Sequence, residues 1–144
     1  MIVSKSDSSG NSEQDELVDM LIQTSFAAMA VLNRVAAEHD LSLTQLRVFA
    51  ILRDRRLRLT DLAEYLGLER STMTGLVDRA NKRGLLERAA NSRDGRAVDV
   101  FLSPAGVELV EHVYPLVAGS ISRMTDGLTP AERRRLHTLL ARIL

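Results

Sequence analysis

Apolar residues recur at helical spacing along most of the chain and at a spacing of two in one short stretch. From about Glu16 to Glu38, residues Val18, Leu21, Ile22, Met29, Leu32, Val35 and Ala36 share a helical face, widened by Phe26 and Ala28. That stripe is broader than the first helix of a small domain needs. It suits a core helix, or one whose surplus face meets a second subunit. Ser42-Leu-Thr-Gln45 has the form of a capping box and opens a helix carrying Leu46, Val48, Phe49, Ile51 and Leu52, closed by the polar run Arg53–Arg56. Thr60 is expected to cap a short helix through Leu62, Ala63 and Leu66 that stops at Gly67. A further helix is expected from about Arg70 to Arg83, stopping at Gly84.

The period then changes. Leu85–Ala89 is a short strand candidate, and Val98, Val100 and Leu102 alternate with Ala97, Asp99 and Phe101. Asn91-Ser-Arg-Asp-Gly95 between them is turn chemistry, so a β-hairpin is expected with Arg93, Asp94 and Arg96 at its tip. Ser103-Pro104 opens another helix, running to about Thr125 with Pro115 inside it, where a kink is expected. Thr129-Pro-Ala-Glu132 is a second capping box, and the last helix carries Leu136, Leu139, Leu140, Ile143 and Leu144. Residues 1–14, rich in Ser, Asn and Gly, read as a mobile tail.

Composition narrows the chemistry. Aromatic residues make up 3% of the 144, so the core must come from Leu, Val, Ile, Ala and Met. There is no Cys, which removes disulfides, thiolate metal sites and a Cys redox switch. No uninterrupted apolar run reaches the roughly 20 residues that span a bilayer, and the N-terminus lacks signal-peptide regions. No membrane association and a cytoplasmic location are the expectation. The net charge is zero, yet residues 70–96 carry seven basic side chains against three acidic, while residues 1–41 carry two against seven. A basic block inside a neutral chain is the footprint phosphate binding needs, although a solvated charged face gives the same count.

The block coincides with a polar helix face. Met73, Leu76, Val77 and Ala80 lie on one side of the helix from Arg70, and Arg70, Ser71, Thr72, Thr74, Gly75, Asp78, Arg79 and Lys82 on the other. An ordinary amphipathic surface helix would look the same. The neighbouring hairpin favours a DNA-binding unit, because small hydroxyls and long cations suit a major groove while Arg93 and Arg96 suit a wing entering a minor groove. Asp94 is expected to pair with Arg96.

Leu59-Thr-Asp-Leu-Ala-Glu-Tyr-Leu-Gly67, Ser71-Thr-Met-Thr74, Leu76-Val-Asp-Arg79, Arg83-Gly-Leu-Leu-Glu-Arg88, Asp94-Gly-Arg96 and Leu102-Ser-Pro-Ala-Gly106 together resemble the MarR family of bacterial regulators, over about Leu17 to Leu144. The resemblance implies a mainly α fold with a small β-hairpin wing: one domain over 15–144, with a winged helix-turn-helix lobe at about 42–103 and dimerisation helices at 15–41 and 104–144. It implies a homodimer on a pseudo-palindromic double-stranded operator, most often as a repressor released by a small aromatic ligand. By position, Ser71, Thr72, Thr74 and Arg79 would face the groove, Asp94 and Arg96 would form the wing pair, and Thr60 would face phosphate. Arg70, Lys82 and Arg93 complete the expected contacts. Gly75 departs from the family, which often has a larger residue there.

If a ligand pocket exists, Phe26, Met29, Phe49, His112 and Tyr114 are its candidates. His39, His112 and His137 lack metal-ligand spacing, so no metal or cofactor is expected. No nucleophile elbow, phosphate loop or metal motif points to an enzyme. The competing reading is a winged helix used as a protein-interaction module without specific DNA binding.

Overall fold

The computed structural model describes residues 7–144. The order is α1 (Asp7–Glu38), α2 (Leu43–Leu52), β1 (Leu57–Arg58), α3 (Leu59–Leu66), α4 (Arg70–Lys82), β2 (Leu86–Ala90), β3 (Val98–Leu102), α5 (Pro104–Ser122), a 3-10 turn at Arg123–Thr125, and α6 (Pro130–Leu140). The chain is mainly helical with one small antiparallel sheet. Residues 1–6 of the expected tail lie outside the described residues. Residues 7–14 are not a tail but the opening turns of α1. No proline interrupts Asp7–Glu38, so a helix nucleated in its periodic part extends towards the N-terminus.

The core lies between α2, α3, α4, the sheet and α5. Val48, Leu62, Met73, Val77, Ala80, Leu86 and Val100 are fully enclosed there, joined by Phe49 and Leu52. The end of α1 contributes Val35 and Ala36, and α5 contributes Val110 and Val113. Both expected capping boxes form: Ser42 with Gln45, and Thr129 with Glu132. In the second, the Thr129 backbone N–H donates to the Glu132 carboxylate at 2.7 Å and holds that carboxyl below its usual range. Pro115 lies inside α5. Ile143 and Leu144 fall in the turn beyond α6.

The sheet has one strand more than the pattern predicts. The two residues of β1 are too few to show alternation, yet they pair with β3, and the strand order is β1-β3-β2. Because β3 is central, its alternation breaks. Val98 at the open end is 39% exposed, whereas Asp99 is only 8% exposed, its carboxylate accepting from Asn91 Nδ2 at 2.8 Å. Pairing of β1 also moves the start of α3. Its N-cap is Arg58, without a side-chain cap bond, and Thr60 is its second residue rather than its cap.

Two glycines fix the chain path. Gly67 ends α3 in the left-handed region at φ 64°, where a Cβ is strained. Gly106 in the first turn of α5 lies so close to the Leu85 carbonyl that an added Cβ would overlap it. Ser103 supports the approach: its N–H donates to Leu85 O at 3.1 Å, and its Oγ donates to Gly84 O while accepting from the Gly106 N–H at 3.0 Å.

The flanks differ from the core. From Gly10 to Ala30 nearly every residue of α1 is exposed, including Leu17, Leu21, Ile22 and Phe26. No residue of α6 is buried. Gly10–Glu38 is long and apolar enough to cross a membrane by length and composition. The stretch holds no uninterrupted apolar run of that length; small Ala, Ser and Thr residues between its apolar positions keep the mean hydropathy high.

Candidate nucleic-acid interface

Four elements build the polar surface. Gly67 turns the chain from α3 into α4, and the Leu68 N–H donates to Ala63 O at 2.9 Å. In α4, Met73, Leu76, Val77 and Ala80 are buried. The opposite side therefore faces outward: Arg70, Ser71, Thr72, Arg79 and Lys82 are exposed, and Thr74 is half-buried. The Thr74 hydroxyl donates to Arg70 O at 2.9 Å, which leaves its lone pairs and methyl group for other contacts. A Cβ at Gly75 would lie 3.3 Å from Arg79 Nη1, so the absent side chain leaves room for that guanidinium to fold back along the helix.

Three bonds hold α4 in place. Arg88 on β2 pairs with Asp78 at 2.6 Å, Asn81 Nδ2 donates to Leu86 O at 2.8 Å, and Arg83 Nη1 donates to Asp40 O at 2.7 Å. Arg88 and Arg83 thus serve the frame. Arg70, Arg79, Lys82, Arg93 and Arg96 make no ion pair among the described residues.

The wing loop between β2 and β3 is longer than a two-residue hairpin turn and is ordered by its own side chains. Asn91 Oδ1 accepts from the N–H groups of Arg93 and Asp94, each at 3.0 Å. Asp94 Oδ1 accepts from the Arg96 backbone N–H at 3.0 Å. The expected Asp94–Arg96 side-chain pair does not form. The carboxylate closes an Asx-type turn instead, which leaves the Arg96 guanidinium without an ion-pair partner among the described residues.

At the base of the wing is a polar cleft of about 270 Å³, lined by Arg58, Thr60, Arg70, Asp94 and Arg96 with Leu59, Ala97 and Val98. Four of the expected residues meet there: Thr60, Arg70, Asp94 and Arg96. The other six (Ser71, Thr72, Thr74, Arg79, Lys82 and Arg93) lie outside it, on α4 and the wing tip. Arg58 was not among the expected residues. No local signal marked it, because only the pairing of β1 with β3 makes Arg58 the N-cap of α3, while Arg70 is the first residue of α4. A cation at a helix N-terminus opposes the helix dipole, and an anion bound beside it reverses that cost.

A second, apolar cavity of about 410 Å³ lies between α1, α2 and α5. Of the expected pocket residues, Met29, Phe49 and Tyr114 line it, whereas Phe26 and His112 do not. Phe26 is 63% exposed on the protruding part of α1. His112 instead meets His39 edge-on, with ring centroids 5.4 Å apart, and His39 Nδ1 donates to Val35 O at 2.9 Å. Arg53 at the end of α2 stacks on the Tyr114 ring at 4.2 Å.

Comparison with known proteins agrees with this geometry. A family model described as the MarR family matches residues 39–97. YkoM of Bacillus subtilis, described as an uncharacterized HTH-type transcriptional regulator, is 31% identical over 108 residues, covering 74% of this chain and 70% of that protein. The HTH-type transcriptional repressor IacR of Pseudomonas putida is 26% identical over 110 residues, covering 76% and 66%. Among solved structures, mutant MarR from E. coli complexed with operator DNA superposes with a TM-score of 0.75 at 25% identity, covering 92% of this chain and 96% of that one. NadR in complex with 4-hydroxyphenylacetate gives a TM-score of 0.73 at 26% identity, covering 99% and 97%. The protein belongs to the MarR family and is a winged helix-turn-helix, DNA-binding transcriptional regulator rather than an enzyme.

Proposed function

We propose that the protein acts in the cytoplasm as a homodimeric repressor of a pseudo-palindromic operator and is released from it by a small molecule. The observation that carries this reading is the polar surface formed by α4 and the wing. It presents exposed hydroxyls and cations on one helix, and beside it a cleft lined by three arginines and one aspartate. Ser71, Thr72, Thr74 and Arg79 lie in the major groove and meet base edges. Arg58, Thr60, Arg70 and Arg96 seat a backbone phosphate at the starts of α3 and α4, and Lys82 and Arg93 add contacts along the strand.

The lobe at 42–103 carries the DNA contacts, and the flanking helices carry the dimer. Phe26, Leu21 and Ile22 on α1, Tyr114 and Leu116 on α5, and Leu139 and Leu140 on α6 are exposed in one chain and suit burial against a second copy. The apolar cavity, at the seam between flank and lobe, takes the effector. The likeness to NadR with its bound ligand supports a ligand-responsive regulator.

Selection of bound sequences from a random DNA pool, followed by titration of the selected site, tests the reading. The expected result is a two-fold symmetric site with half-sites about one helical turn apart. Recovery of no sequence, with binding to DNA only at low salt, would instead support a protein-interaction module.

A further inference from the structure

We propose that the ligand of the apolar cavity is an elongated aliphatic monocarboxylate, a medium-chain fatty-acid-type anion, rather than a hydroxylated aromatic acid. The inference rests on the effector reading of the cavity given above and assigns its ligand class.

The walls decide the body of the ligand. Five leucines and three valines line the cavity, against one phenylalanine and one tyrosine. Among its lining residues only Arg47 and Tyr114 carry polar side chains, and no acidic residue lines it. A ring hydroxyl carried into such walls exchanges water for hydrocarbon, and each such group without a partner opposes binding. An alkyl chain leaves no polar group behind and gains with every methylene enclosed. At about 30 Å³ for each water-sized group, 410 Å³ accommodates a chain on the order of a dozen carbons.

Arg47 decides the head group. It lies on the exposed side of α2 at the edge of the cavity and has no ion-pair or side-chain hydrogen-bond partner among the described residues. Arg53, the C-cap of α2, does not line the cavity and is stacked on the Tyr114 ring, so Arg47 is the cation among the lining residues. A guanidinium beside an apolar cavity takes a carboxylate bidentately. With no acid in the lining, that charge has no competitor within the cavity. One anionic end and one long apolar end match one unpartnered cation at the mouth of a hydrocarbon pocket.

The test uses the full-length protein and straight-chain carboxylates of six to fourteen carbons, all below their micelle-forming concentrations. Calorimetry reads binding, and fluorescence anisotropy of the selected operator reads release. The expected result is one carboxylate per chain, with affinity rising about fourfold per added methylene up to roughly twelve carbons. The methyl ester of the best chain should bind at least tenfold more weakly. Arg47→Gln, an exposed change that leaves the melting temperature in place, should lower the affinity of the carboxylate to that of the ester. Salicylate and 4-hydroxyphenylacetate should bind at least tenfold more weakly than the best chain. The proposal is overturned by affinity that does not change with chain length, by tighter binding of the ring acids, or by no uptake because a second copy fills the cavity. Carboxylate uptake without release of DNA upholds the ligand class and removes the effector reading. Release by ring acids without carboxylate uptake does the reverse.

Discussion

The winged lobe and the flanking helices handle the same apolar residue types in opposite ways. Among the described residues every buried hydrophobic residue lies between Val35 and Val113, while the outer part of α1 and all of α6 leave leucines, an isoleucine and a phenylalanine exposed. The lobe satisfies itself. Its helices, sheet and caps close on one core, so its stability belongs to the single chain. The inner parts of α1 and α5 join that core, whereas the exposed apolar residues farther out on α1 and on α6 suit burial against a second surface. Stability and the proposed assembly therefore draw on different parts of the sequence, and the residues proposed to contact DNA lie on the outer face of the lobe.

That division is most sharply broken by core truncation. Leu62→Ala should cost about 2–5 kcal/mol in denaturant unfolding, because Leu62 is fully enclosed and the cavity left behind cannot collapse. A comparable loss from Leu21→Ala, measured at a concentration where the chain is monomeric, would contradict the division. Next in size, Gly106→Ala should cost about 1–3 kcal/mol or more, since its Cβ runs into the Leu85 backbone carbonyl and must push α5 away from the sheet. Thermal melting checks it, and the damage should fall on the lobe although α5 reaches into the flank.

The assembly side is sharpened by Phe26→Asp. Burial of a phenylalanine at an interface is worth about 1.5–3 kcal/mol, so the dimer should dissociate at least tenfold more readily in analytical ultracentrifugation while the monomer keeps its helical content. On the DNA face, Arg58→Ala and Arg96→Ala should each weaken operator binding by about 1–3 kcal/mol, nearly uniformly across sequences, as expected for phosphate contacts. Smallest of all, Gly75→Ala should stabilise α4 by about 1 kcal/mol through helix propensity. The same change crowds Arg79 and should alter base preference in a selection experiment.

Much of this was legible in the chain because local signals agreed with one another. Ser42 with Gln45, Thr129 with Glu132, and Gly67 and Gly84 at helix ends each carry a mechanism that acts within a few residues, and the structure uses all of them. The buried face of α4 followed from the same periodicity. Several of the misses are non-local. The strand β1 exists only through its pairing with β3, so two residues of sequence could not announce it. That pairing, in turn, placed Arg58 rather than Thr60 at the start of α3 and carried Arg58 into the cleft. Asp99 looked like the solvent side of a strand until a third strand made its position central. Asp94 was matched to the nearest cation, but the loop closed on the Arg96 backbone N–H instead. The opposite error occurred at the N-terminus, where composition suggested a tail and an unbroken helix continued through residues 7–14. His39 and His112 meet only because α1 and α5 pack together.

In the proposed complex α4 and the wing grip DNA through phosphates seated by arginines while two copies span one operator. That arrangement is tested most directly by the salt dependence of operator binding, with the wild-type protein and Arg58→Ala compared at matched concentrations. The expected result is a stoichiometry of two chains per site, a log–log slope of affinity against salt of about −0.9 per phosphate contact, and a slope shallower by about one contact per chain in the variant. Binding of one chain per site, or identical slopes for the two proteins, would contradict it.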